Sequence, residues 1–296
     1  MSAEPVIPVV LFAHARPAHL GRTLECLRAN HVPRLIAYAD GARATSEAAA
    51  VDEVRRLLRR VDWCEVQVIE RTANLGLGPS VLTGVTEVAA EHEAFLVLED
   101  DLVCVPGTYA WMAAALRRYR DVPNVFSVTG WTHARVAPAG LGGRPYFDAR
   151  AESWSWGAYA RSWCGMNEQT AREKMVAARV RGVAPDACGA DLPAMAEAEI
   201  SRRLWAVRWI YHHLAHGGLC LRPPVSLVNH AGFDPAATNA GLDDEWHNAE
   251  LGAPPADWPE PVEHPDVRAR WRAAYAPSWP RRWRRLWQRV RGRLRR

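Results

Sequence analysis

The first hundred residues alternate short apolar, β-branched runs with segments of helical period. Apolar runs occupy residues 6–13, 35–39, 65–69 and 95–98. Between them, 18–29, 46–60 and 79–91 place apolar residues at spacings of three and four, as Leu20, Leu24 and Leu27 do. Strands separated by helices of 10–15 residues require βαβ units and a parallel sheet. Strands buried on both faces read as unbroken apolar runs, as these do. Ser46 is the expected N-cap of the second helix. Open α/β sheets bind ligands beyond the carboxyl ends of their strands. Those ends carry His14 and Arg16, Asp40 and Gly41, Arg71 and Asn74, then Glu99, Asp100 and Asp101.

The pattern weakens after a helix expected at 109–120. Residues 123–165 mix short strands with Gly, Pro and Trp, 192–216 reads as one long helix, and 220–228 as a last strand region. Residues 229–266 are rich in Pro, Gly and Asp and read as loop. The expected division is a first half at 1–120, a second half of the same domain at 121–266, and a basic helical tail at 267–296. The six cysteines form no Cys-x-x-Cys pair, which argues against a zinc or thioredoxin-type site. Cys26, Cys64 and Cys104 lie in apolar runs and read as buried free thiols. Residues 1–8 lack the pattern of a signal peptide, and no apolar run approaches the ~20 residues of a membrane span. The expectation is a reducing, cytoplasmic location.

The strongest chemical signal is Leu96-Val-Leu-Glu99-Asp100-Asp101. Three adjacent carboxylates at the end of a buried strand repel one another and lose solvation. A hard divalent cation, Mn²⁺ or Mg²⁺, relieves both costs and completes its shell with substrate phosphates. The alternative is an acidic turn facing water. Asn74-Leu-Gly76-Leu-Gly78-Pro-Ser80 opens a helix and can turn backbone N–H groups toward a phosphate. It matches neither the dinucleotide-binding glycine pattern nor a P-loop, and a plain helix entry reads equally well.

His14-Ala-Arg16-Pro17, Asp40-Gly41, Arg71-x-x-Asn74-x-Gly76 and the acidic triplet occur in this order. Trp154-Ser-Trp156-Gly157 follows with Arg161 and Trp163, and then Ser226-Leu-Val-Asn229-His-Ala-Gly232-Phe233-Asp234. The series resembles GT-A glycosyltransferases, family-2-like bacterial enzymes in particular, and is similar to N-acetylglucosaminyltransferases that carry Glu-Asp-Asp. The resemblance covers about residues 6–240. It implies a mixed, mainly parallel sheet flanked by helices, with an acceptor-side second half. It also implies metal-dependent sugar transfer from a nucleotide diphosphate sugar, a UDP-sugar by default, to a saccharide or lipid-linked acceptor, with inversion. In such enzymes Ala13, His14, Arg16 and Asp40 would surround base and ribose. Arg71, Asn74 and Gly78 would hold ribose and diphosphate. Asp101 would ligate the metal, Asp100 would contact sugar or ribose, and Glu99 would orient the pair.

Inverting transfer needs a carboxylate to take the acceptor's proton. The candidates are Glu152, Glu197 and Glu199. Similar bacterial proteins carry an Asp shortly before a Trp-x-x-Arg-Trp segment. Here Trp205-Ala-Val-Arg208-Trp209 is preceded by Arg203, and Glu199 is the stand-in one turn earlier. Thr238-Asn239 replaces a usual Thr-His, with His230 or Asn239 to compensate. Trp154 and Trp156 can present faces to an acceptor sugar, or they can be core aromatics. His212, His213 and His216 read as satisfied helix histidines. Two other readings stand beside transfer: a sugar nucleotidyltransferase, whose Gly-rich, basic loop after strand one is absent, and a nucleotide-sugar-binding module without catalysis.

The formal charge of +4 conceals a division. Of 37 basic residues only Lys174 is a lysine, and nine arginines fall within 281–296, leaving the rest of the chain at −5. Trp279, Trp283, Leu286, Trp287, Val290 and Leu294 trace one face of a helix whose other faces carry arginine. A basic helix with an apolar tryptophan stripe suits a membrane surface, here the inner face of the cell membrane. Packing on the body is the second reading, and nucleic acid the least favoured.

Overall fold

The computed structural model describes residues 5–230 and 246–276. Its centre is an eight-stranded sheet. Strands β1 (Val9–Ala13), β2 (Arg34–Ala39), β3 (Glu65–Glu70) and β4 (Ala94–Glu99) pair in parallel in the order β3-β2-β1-β4. Helices α1 (Pro17–Ala29), α2 (Ala48–Arg59) and α3 (Leu77–Glu91) connect them. The sheet continues through β8 (Trp156–Tyr159), β6 (Val125–Thr129), β9 (Leu219–Arg222) and β7 (Tyr146–Asp148), with β8 antiparallel to both β4 and β6. The expected mixed sheet flanked by helices is therefore present, and both halves of the chain contribute to it.

Strand alternation divides the core. Val9, Leu11, Leu35, Ala37, Leu96 and Leu98 face α1, α2 and α4 (Thr108–Arg118). Val10, Phe12, Ile36, Tyr38, Phe95 and Val97 face α3 and the later helices. The period of two puts each neighbour on the opposite face, so both faces need apolar side chains.

Three expectations change. Ser46 caps nothing: 45–47 form a short 3₁₀ turn running into α2, whose N-cap is Glu47, without a side-chain cap. The long helix expected at 192–216 is two helices, α7 (Leu192–Arg202) and α8 (Trp205–His216). Arg203 between them takes a left-handed φ of 54°. The break turns α8 so that Trp205 and Trp209 enter the second core layer. Cys26, Cys64 and Cys104 are half-buried, not buried.

Two short helices, α5 (Ala160–Trp163) and α6 (Ala171–Val180), lie between β8 and α7. Lys174 on α6 is buried, and its Nζ donates to Gly165 O and His212 Nδ1, both at 3.0 Å. The segment expected as a tail from 267 opens with α9 (Val267–Ala274). Trp271 of α9 is buried, and its Nε1 donates to Asp148 Oδ2 at 2.6 Å. Trp279, Trp283 and Trp287 lie outside the described residues, as does Asn239. Among the described residues no helix is long and apolar enough to cross a membrane.

Candidate functional site

The strand ends converge as expected for a parallel sheet. After Glu99 the chain turns through Asp100 and Asp101 and leaves the main sheet as β5 (Leu102–Cys104). β5 pairs antiparallel with β10 (Val228–His230), with Leu102 opposite His230. Thr23 of α1 pins this turn by donating to the carbonyls of Asp100 at 2.9 Å and Leu102 at 3.0 Å. Two distant segments thereby meet, and His230 Nε2 lies 3.4 Å from Asp101 Oδ2.

The acidic cluster is crowded and short of positive charge. Asp100 and Asp101 are buried, Glu99 half-buried. Among the described residues Arg16 is the arginine that pairs with the cluster: its Nη1 donates to Asp101 Oδ2 at 2.6 Å and its Nη2 to Asp100. The His14 backbone N–H donates to the other Asp100 oxygen at 2.9 Å. Burial, with the neighbouring Asp101 and Asp100 carboxylates, pushes Glu99 up to about 8. Burial also raises Asp100 to about 7, against the pull of Arg16. The second oxygen of Asp101, Oδ1, is buried without a hydrogen-bond partner. A buried carboxylate oxygen left unmatched costs on the order of 1–3 kcal/mol, more when charged. Such an oxygen, with a second carboxylate and an imidazole at hand, fits a divalent cation.

The opposite rim is built from backbone. Asp40 at the end of β2 is buried and is a clamp. It accepts N–H bonds from Gly41 at 3.1 Å, from Leu75 at 3.0 and 3.1 Å to its two oxygens, and from Gly76 at 3.0 Å. Gly41 packs so tightly that a Cβ would come within 2.6 Å of the Ala73 carbonyl carbon, and Gly76 has a φ of +77°. Both positions require glycine. Asn74 Nδ2 donates to Gly41 O at 2.8 Å and lies 3.1 Å from His14 Nε2, which is itself 2.9 Å from Gly41 O. The structure thus brings Ala13, His14, Arg16, Asp40, Asn74, Asp100 and Asp101 together at the carboxyl ends of β1, β2 and β4.

Other expected residues are placed differently. Arg71 lies along α3, donating to Thr83 Oγ1 at 3.0 Å and sitting over the Tyr38 ring, so its guanidinium is committed to the fold. Gly78 sits inside the first turn of α3, where a Cβ would approach Arg203 O to 3.0 Å. Trp156 is fully buried among Phe95, Trp163, Trp205 and Trp209 and offers no face to a sugar. β8 is buried on both faces, so either register of its alternation places Trp156 in a core layer. Trp154 is half-buried, with its ring 5.0 Å from that of His230.

Each candidate base has a partner. Glu199 is buried, accepting from the Ala171 N–H at 2.6 Å and from Arg208 Nε at 2.5 Å, so it anchors the start of α6. Glu197 is exposed and pairs with Arg172 at 3.4 Å. Glu152 lies in the turn leading to Trp154: one oxygen accepts from the Ser153 and Trp154 N–H groups, and the other from buried Arg222 at 3.1 Å. The residue least weighted by sequence is His230. Its signal was its place in the Ser226–Asp234 segment, where it stood with Asn239 as a substitute for a usual histidine, and the β5–β10 pairing brings it to Asp101. His212 and His213 are buried and hydrogen-bonded, as satisfied helix histidines are.

No family model matches the chain, and no curated protein does. Among solved structures it is similar to GalNAc-T7 with UDP, GalNAc and Mn²⁺, at 14% identity and a TM-score of 0.45, covering 77% of this chain and 44% of that one. It is similar to the mannosyltransferase PcManGT from Pyrobaculum calidifontis in complex with GDP-Man and Mn²⁺, at 13% identity and a TM-score of 0.43, covering 60% and 52%. It is also similar to S. aureus TarS, at 10% identity and a TM-score of 0.39, covering 55% and 30%. The chain thus spans about half of these proteins or less.

Proposed function

We propose that this chain is a metal-dependent GT-A-type glycosyltransferase that moves a sugar from a nucleotide diphosphate sugar to a saccharide or lipid-linked acceptor, with inversion. The observation that carries the reading is Asp101, buried, with one oxygen unmatched and His230 beside the other. Asp101 and His230 would hold the cation, and Glu99 would support them from the half-buried rim. An oxygen-rich set with one imidazole suits Mn²⁺ better than Mg²⁺, which demands near-ideal octahedral oxygens. The cation supplies charge opposite the leaving diphosphate. Ala13, His14 and Asn74 line the edge where base and ribose would lie, and Asp40 holds the loop that shapes it. Arg16, already on Asp100 and Asp101, would turn its charge to the donor. Trp154 would face the acceptor, and Glu152, of the three candidate bases the one adjoining Trp154, would take the acceptor's proton. The finer likeness to N-acetylglucosaminyltransferases rests on Glu99-Asp100-Asp101. The uridine default, the peripheral membrane location and a role in polysaccharide synthesis belong to the same proposal.

One observation favours the binding-module reading: all three candidate bases are held by hydrogen bonds or ion pairs. A thermal-shift screen of nucleotide sugars with and without Mn²⁺ tests the donor site, since a ligand of the folded state raises apparent stability by mass action. A Mn²⁺-dependent shift lost in Asp101→Asn is the expected result, and no shift with any nucleotide sugar would refute the donor site. Release of nucleoside diphosphate from the same mixture then separates a transferase from a module.

A further inference from the structure

The donor-site reading leaves a second cluster unused. Cys26 lies on α1 and Cys104 ends β5, 78 positions apart in the chain. Both are free and half-buried. The Cys104 backbone N–H donates to Cys26 Sγ at 3.4 Å, and Asn30 Nδ2 donates to Cys104 Sγ at 3.4 Å. The Cys26 sulfur thus lies against the backbone of Cys104, where α1 meets the end of β5.

We propose that Cys26 and Cys104 are a redox-modification site, a thiol pair that a peroxide-class oxidant converts to a disulfide joining α1 to β5. Donation from the Cys104 thiol pulls Cys26 down to about 6, with the Cys104 backbone N–H adding to it and partial burial and Glu25 opposing. Cys26 is thereby the thiol of the pair biased toward thiolate, the form that attacks. Its sulfur attacks one peroxide oxygen, and the O–O bond breaks. Sulfur becomes the sulfenic acid, and the second oxygen leaves as hydroxide, taking a proton to become water. Cys104 gives up its proton and attacks the Cys26 sulfur. The S–S bond forms, the S–O bond breaks, and a second water leaves. Two thiols and one hydrogen peroxide thus become one disulfide and two waters. Cys104 is the partner that holds the proton, raised by its bond to Cys26 and then by burial; burial likewise holds the Cys188 and Cys220 thiols up at about 12 and about 11.

The link would act on the strand beside the acidic cluster. Thr23, one turn before Cys26, already holds the Asp100 and Leu102 carbonyls. Cys104 faces Val228, and Leu102 faces His230, on the paired strand. A crosslink at Cys104 fixes β5 to α1 at both its ends.

The test uses the full chain, reduced, desalted and treated with stoichiometric hydrogen peroxide. Free thiols are then alkylated and the chain is cut with trypsin without reduction. Cleavage after Arg22, Arg28, Arg71 and Arg117 releases peptide 23–28 with Cys26 and peptide 72–117 with Cys104 as its sole cysteine. The expected result is 23–28 joined to 72–117, reversed by a dithiol, with a melting temperature several degrees above that of the reduced chain. Cys26→Ser and Cys104→Ser each abolish the joined species. Peptide 23–28 recovered alkylated, over-oxidised or linked to another segment would overturn the proposal, and that reading needs neither variant to fold.

Discussion

Replacing Asp40 discriminates between two roles for one carboxylate. The family resemblance assigns Asp40 to the nucleotide, whereas the structure spends both its oxygens on the N–H groups of Gly41, Leu75 and Gly76. Asp40→Ala leaves those three donors without an acceptor. A hydrogen bond to a charged group contributes about 1.5–3 kcal/mol, and an orphaned buried donor costs about 1–3. The Leu75 and Gly76 amides are only half-buried and regain some water, so the lower ends apply. Two such bonds and the buried Gly41 amide come to about 3–4 kcal/mol. Asp40→Asn should cost less, since one oxygen still accepts while the new NH₂ opposes an N–H donor. Urea unfolding at neutral pH measures both, with the midpoint falling and the slope unchanged. If Asp40→Ala unfolds within ~0.5 kcal/mol of the parent while losing nucleotide affinity, the clamp is wrong and the direct contact is right.

Two further outcomes follow from the second half of the chain. Trp156→Ala should cost about 3–5 kcal/mol, as for a large aromatic deleted from a closed core. Trp154→Ala should cost less and weaken acceptor use instead; equal destabilisation in urea would remove the distinction. His212 is held down to about 3 by burial, then by Lys174 and His216, with its bond to Ser162 O opposing. The unfolded chain takes up this proton near pH 6.5 and the folded chain does not, so the stability is whole above 6.5 and is lost progressively toward pH 3. At pH 5 the loss is about 2 kcal/mol, and His213 moves in the same direction. Raised Glu99 and Asp100 act oppositely between about pH 8 and 4. The comparison is therefore with His212→Gln, whose stability should fall about 2 kcal/mol less between pH 7.5 and 5.0. Parallel pH profiles for the two chains would count against it.

The order of strands and helices in the first hundred residues was legible because each element there is short, local and marked by its own period. The acidic turn was legible too, since three adjacent carboxylates after an apolar strand repel one another wherever the chain goes next. The pairing of His230 with Asp101 was not, because it depends on β5 leaving the main sheet to meet a strand more than a hundred residues later. The roles of Asp40, Glu199 and Trp156 were also hidden. A carboxylate can bind a ligand or cap a backbone, and an indole can face a sugar or a core, with identical local spacing. Lys174 shows the same division. As the sole lysine among 37 basic residues it is conspicuous in the sequence without a stated reason. In the fold its ammonium occupies a buried point between Gly165 O and His212 Nδ1. A compact ammonium with freely turned donors meets both acceptors there. The chain by itself determined the sheet, the helices of its first half and the edge where chemistry gathers, because those follow from nearest-neighbour periodicity. Tertiary structure alone decided which polar groups are held by the protein and which carboxylate oxygen is left without a partner, because hydrogen-bond partners are set by packing between distant segments.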